Sequence, residues 1–188
     1  MEKAEREFLV LYLAASRERL LEQIDGLTKQ QQRFRPAEDL WSVADCVEHV
    51  TLTEQGVLKK IQAVLLFPSQ SPPQNPWRAG VPDDEILASI PNRSPRLISP
   101  PDALPRRRWT DFSQLLRRFE AARERSLRFA AVTQSDLRGH FFAHPELGEL
   151  DCYQWLLFLG AHCERHARQA EEVIANRGFP RVAGSATA

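Results

Sequence analysis

Apolar residues recur at steps of three and four over four stretches of the chain. In the first, Leu9, Leu13, Ser16, Leu20, Ile24 and Leu27 align on one side, predicting a helix of about seven turns with a single buried stripe. Period-two alternation is absent, which excludes a strand there. Asp25-Gly26 marks its end. The second stripe is Val43, Val47, Val50, Val57, Ile61 and Leu65. Its helix begins near Trp41-Ser42, with Ser42 as cap and Asp45 in the first turn facing the positive helix end, and Pro68 stops it. The third runs from about Thr110 to Ala131, with Phe112, Leu115, Leu116, Phe119, Ala122 and Leu127 inward. The fourth runs from about Asp151 to Asn176, burying Leu156, Leu159, Cys163, Ala170, Val173 and Ile174. Gly178 ends it and Pro180 prevents its resumption.

Residues 68–105 hold ten of the chain's thirteen prolines. That density forbids a long helix and removes sheet donors. A short helix is expected at 83–88, after Pro82. Trp77, Ile86, Leu87, Ile90, Leu97 and Ile98 are more apolar residues than a disordered linker carries, so the segment is expected to drape over one bundle end. Residues 138–148 read as a connection, and strands are essentially missing. The expected fold is all-α: an up-down four-helix bundle with a long Pro-rich loop between helices two and three, a connection long enough to permit other orders. Residues 1–180 form one domain and 181–188 a flexible tail. No internal repeat and no glycine-rich phosphate loop is present.

Composition adds little to that outline: of 188 residues, 43% are hydrophobic and 27% charged, as in ordinary globular proteins. The 25 basic and 25 acidic side chains cancel, so no whole-chain field draws the protein to nucleic acid or an anionic membrane. Arg106-Arg107-Arg108 reads as a solvated loop or helix start, with a phosphate or acidic-ligand contact as the sharper alternative. Cys46, Cys152 and Cys163 make no even disulfide framework. They read as small buried hydrophobes, which fits a reducing cytoplasm. The first seven residues are too charged for a secretion signal, and the apolar run from Phe8 to Ala15 is too short to span a bilayer.

The histidines change the picture. His162 and His166 stand one turn apart on one helix face. The spacing differs from that of the zinc proteases, because Cys163 stands where those enzymes place a glutamate. An isolated pair of this kind serves a structural or surface role as readily as a metal. His49 adjoins the apolar seam of the second helix, where a histidine can simply be a satisfied core residue. Together the three make a credible set for Zn²⁺ or another first-row divalent ion, with positions left for water or substrate. Gln169 is placed to orient His166, or else to face solvent. Glu48, Thr53 and Glu54 flank the turn of His49, and Glu54 is the best carboxylate for a catalytic base. Glu164 points away. His140 and His144 read as exposed loop histidines, with a ligand contact as the alternative. Trp41 and Trp155 read as core aromatics and not as substrate stackers.

Two groups of residues carry a resemblance. The first is Arg35-Pro36 followed by Leu40-Trp41-Ser42-Val43-Ala44-Asp45-Cys46-Val47-Glu48-His49-Val50. The second is Gly148-Glu149-Leu150, Tyr153-Gln154-Trp155-Leu156 and His162-Cys163-Glu164-Arg165-His166-Ala167-Arg168-Gln169. In this order, over residues 8–180, the chain resembles the DinB-like superfamily of metal-binding helical bundles, which includes YfiT-type proteins. The resemblance implies a divalent ion, often zinc or nickel, held at His49, His162 and His166, and frequent homodimerisation. It also implies transferases and isomerases that use low-molecular-weight thiols, metal-dependent hydrolases, and members with no assigned reaction. The proline-rich insert departs from it, and a loop of that length can reshape or close a pocket.

The leading expectation is therefore a metal-dependent thiol transferase, in which the ion lowers the thiol pKa and presents the thiolate to an electrophile. The second is a hydrolase with Glu54 as base. The third is a non-catalytic stress or interaction protein, with metal-stabilised histidines and helix faces serving dimer contacts. A small-molecule substrate and a second copy of the chain are the expected partners; nucleic acid and membrane are not.

Overall fold

The computed structural model describes residues 1–67, 81–94 and 101–181. Among these, six helices and one two-stranded sheet follow one another as α1 (Lys3–Ile24), α2 (Lys29–Arg33), α3 (Val43–Leu66), α4 (Asp83–Ser89), α5 (Phe112–Val132), β1 (Phe141–His144), β2 (Gly148–Asp151) and α6 (Cys152–Ile174). The four long helices are those the periodicity predicts, and they form a four-helix bundle. Ser42 caps α3 reciprocally with Asp45, and Asp151 caps α6 with Gln154, each pair satisfying donors at a helix start. Past the end of α1, Gly26 takes φ +68°, a left-handed turn that glycine adopts without strain.

Contacts along the helices fix their directions. Arg6, near the start of α1, donates to the Ala130 carbonyl near the end of α5 at 2.7 Å, so these two run antiparallel. Tyr153 at the start of α6 donates to the Glu5 carbonyl, and Arg19 meets Glu171 toward both C-termini, so α6 runs parallel to α1. Ile61 and Val64 at the end of α3 share a core cluster with Leu9 and Leu13, while Val43 shares another with Leu20 and Ile24. The order is thus up, down, down, up. Helix α1 packs on α5 and α6 and α3 packs on the same two, which leaves α1 across one diagonal from α3 and α5 across the other from α6. The long second connection takes the other order it permits, carrying the chain back along the bundle so that α5 runs parallel to α3.

Of that connection, α4 forms after Pro82 as the sequence leads one to expect. Ile86 and Ile90 are buried among Tyr153, Leu156 and Leu157. Trp77, Leu97, Ile98 and the tail from Val182 lie outside the described residues. Two elements depart from expectation. A short α2, capped by Thr28 and Gln31, follows α1. Within the presumed connection, β1 and β2 pair antiparallel with His144 opposite Gly148. Gly148, at φ +75°, closes a three-residue loop of a kind that favours a left-handed residue after the turn.

The core is in two parts with a charged layer between them. Arg123, wholly buried on α5, donates to the Leu13 carbonyl at 3.1 Å, Ser16 Oγ at 3.0 Å and the Leu159 carbonyl at 3.2 Å, and pairs with Glu54 at 2.9 Å. One guanidinium therefore touches the other three long helices. No helix among the described residues is long and apolar enough to cross a membrane.

Candidate metal centre

His49 projects from the second turn of α3, and His162 and His166 from successive turns of α6, where α3 and α6 pack. All three are buried. Their Nε2 atoms converge: His49 to His162 at 3.0 Å, His166 to His162 at 3.1 Å, with one ligating atom from each ring within 4.8 Å of the others. The outer nitrogens are committed elsewhere. His49 Nδ1 is 2.7 Å from the Ala103 carbonyl, and His166 Nδ1 is 2.9 Å from Gln169 Oε1. A carbonyl oxygen only accepts, so the Ala103 contact places the His49 proton on Nδ1; donation from His166 Nδ1 to the Gln169 oxygen does the same there. Both inner Nε2 atoms then present bare lone pairs.

Burial lowers the His49 pKa, and lowers those of His162 and His166 well below the ordinary value, with the neighbouring imidazoles adding to the effect on the α6 pair. Three neutral rings with lone pairs facing one another repel unless a proton or cation lies between them. Two nitrogens bound at about 2.0–2.1 Å to a tetrahedral ion stand about 3.3 Å apart, close to the 3.0 and 3.1 Å that separate His49 and His166 from His162. The donor set thus fits a first-row divalent ion with protein ligands at three positions.

The surroundings hold this arrangement. Ala103 lies on a segment pinned to α3 by Glu48. One oxygen of that buried carboxylate accepts from Arg106 N at 3.0 Å, Arg108 N at 3.3 Å and Arg108 Nη1 at 3.0 Å. Arg107, between them, has φ 54°, and the left-handed residue turns both flanking N–H groups onto one anion. The arginine cluster expected in solvent is therefore in part the clamp on the residue next to His49. Trp41 lies over His166, with ring centroids 5.8 Å apart and planes within 20°, and tilts against His49 at 4.9 Å.

A cavity of 780 Å³ opens onto the three histidines. Trp155, Phe158, Phe142, Leu52 and Val57 give it an apolar side, and Lys60, Arg93, Arg165, Asp39, Asp102 and Glu146 contribute charges of both signs. His144, Trp41 and Trp155 line it, so these three residues do more than the loop and core roles expected of them. Trp155 Nε1 is held by the Phe142 carbonyl at 3.0 Å. His140 instead bonds the Asp136 carbonyl through Nδ1 at 2.7 Å and is not part of the wall.

Glu54 is placed differently from the sequence expectation. It is buried against Arg123 between α3 and α5 and does not line the cavity. The three cysteines are free and buried. Burial pushes Cys152 and Cys163 up to about 12 and Cys46 still higher, which leaves them as unreactive thiols.

A family model described as the DinB superfamily matches residues 12–170. The uncharacterized protein YuaE of Bacillus subtilis (strain 168) is 24% identical over 155 residues, spanning 80% of this chain and 88% of that protein. Among solved structures, YfiT from Bacillus subtilis is described as "a probable metal-dependent hydrolase with an unusual four-helix bundle topology". It aligns with a TM-score of 0.59 at 14% identity, over 96% of this chain and 91% of that one, a likeness of fold.

Proposed function

The chain belongs to the DinB superfamily, and on that premise we propose that it is a divalent-metal-dependent enzyme, its ion held by Nε2 of His49, His162 and His166, that transfers a low-molecular-weight thiol to a small electrophile. The observation that carries this reading is the convergence of three inward Nε2 atoms at the wall of a 780 Å³ cavity. A purely structural site has no need of such an opening. When bound, zinc or nickel would supply a Lewis acid that favours the thiolate form of a thiol. The protein's own part is to keep the imidazoles neutral and aimed. Ala103 and Gln169 accept their outer protons, Trp41 covers one ring, and Phe158 stacks on His162 with centroids 5.2 Å apart. The aromatic side of the cavity excludes water from the reacting end.

Hydrolysis is the second reading, supported by the description of YfiT and by Asp39, Asp102 and Glu146 in the cavity wall. Thiol transfer is preferred because Glu54, the carboxylate the sequence singles out as base, is engaged with Arg123. Titration calorimetry with 2-mercaptoethanol separates the two. The thiol is expected to bind the metal-loaded protein at least ten-fold more tightly than the metal-free protein or metal-treated His166→Ala. Equal affinity for all three contradicts thiol transfer.

A further inference from the structure

The aromatic wall continues past the metal centre to a histidine that the reading above leaves unused. Phe158 stacks on His162, and it also meets His144 edge-on at 5.0 Å between centroids, with Trp155 5.3 Å from His144. His144 ends β1, and the hairpin loop folds back on its ring. Nδ1 accepts from the backbone N–H of Glu146 and of Leu147, each at 3.2 Å. Two donors on Nδ1 leave that nitrogen without a proton, so a neutral ring must carry its proton on Nε2. Burial keeps the ring neutral, pushing its pKa down to about 4. Among the described residues nothing accepts from Nε2, while the ring lines the cavity. A half-buried N–H without an acceptor is costly unless water or a ligand meets it.

We propose that His144 is a substrate-binding residue, its Nε2–H donating to the acceptor oxygen of a compact, uncharged molecule whose planar apolar body lies against Phe158 and Trp155. The ring packing supplies an aromatic corner into which a flat body fits: Trp155 stacks on Phe142 at 4.4 Å and meets Phe158 edge-on at 5.3 Å. Charge supplies the neutrality, since the lining cations and anions balance in kind and Arg93 is already paired with Glu172 at 3.1 Å. In the proposed transferase this molecule is the electrophile, with an aryl or similarly flat carbonyl compound as its chemical class. The inference rests on that reading for the word substrate, but its geometry does not involve the ion.

The test uses acetophenone and ethylbenzene, which share a flat body and differ in the acceptor oxygen, with binding read by saturation-transfer NMR on chelator-treated full-length protein. Acetophenone is expected to bind the wild type and to weaken about ten-fold in His144→Phe, which keeps a ring on Phe158 but has no donor. His144→Gln, which keeps a donor, recovers most of the affinity, and ethylbenzene is indifferent to either change. Imidazole ¹⁵N shifts at pH 7 are expected to report the Nε2–H tautomer of His144. The proposal is overturned by equal acetophenone affinity in His144→Phe, by parallel loss of ethylbenzene, by an Nδ1–H tautomer, or by no acetophenone binding to the wild type. Because the binding is read without metal, a failure of metal loading registers separately.

Discussion

Two oxygen atoms decide what the histidines of the centre present. The Ala103 carbonyl and Gln169 Oε1 accept the outer protons of His49 and His166 and so turn bare Nε2 atoms inward. Groups that orient a ligand imidazole typically affect metal affinity ten- to a hundred-fold. Glu48 holds Ala103 in place through the N–H groups of Arg106 and Arg108, so Glu48→Ala is expected to weaken zinc binding about ten-fold or more, measured by competition with a chelating dye. An unchanged affinity would make the clamp irrelevant to the ion. The i, i+4 pair His162 and His166 was legible because the spacing itself puts both on one face. Ala103 was not legible, since a backbone carbonyl leaves no mark in the residue sequence. Glu54 misled for a geometric reason. Five positions beyond His49 on a helix is a rotation of about 140° from its face, toward α5. Thr53 and Gly56, four and seven positions on, share the face of His49, and both line the cavity.

At the level of elements, the joint between helices is the buried pair of Arg123 and Glu54. Removing one partner of such a pair leaves an uncompensated charge in the core, at a cost of about 3–5 kcal/mol, whereas replacing both with apolar residues is often neutral. Urea denaturation is therefore expected to show Arg123→Met strongly destabilised and Arg123→Met with Glu54→Leu close to wild type. A double variant as weak as the single one would mean that the pair itself contributes most of the stability there. The long helices were readable because each carries five or more inward positions, and three of them a clear stop. The hairpin was not: its strands have four residues each and no consistent alternation of burial, and the pairing appears only once the loop closes at Gly148. Helix α2 is a five-residue piece, too short for periodicity to register.

For the whole molecule, the parallel course of α3 and α5 requires the chain to return along the bundle, and the returning segment supplies Arg93 and Ala103 to the site. The length of the proline-rich stretch signalled such a crossing; which side of the bundle it covers depended on Ile86 and Ile90 finding partners on α6. The centre also ties stability to pH. His49, His144, His162 and His166 all have pKa values lowered by burial. The unfolded chain therefore binds protons that the folded one refuses, and stability rises with pH. This contribution is complete above about 6.5 and is lost as pH falls through the depressed values, His144 following at about 4. The urea midpoint of metal-free protein is expected to be lower at pH 5 than at pH 7.5, above the range where ordinary carboxylates titrate. A midpoint that is flat or rises on acidification would contradict neutral buried imidazoles.

Elemental analysis of untagged protein after exposure to zinc or nickel and desalting, beside His49→Ala treated identically, bears most directly on the centre. About one equivalent per chain is expected in the wild type, as for an ion held by three imidazoles, and a small fraction of that in the variant. No retained metal in the wild type, or the same amount in both, would contradict that expectation.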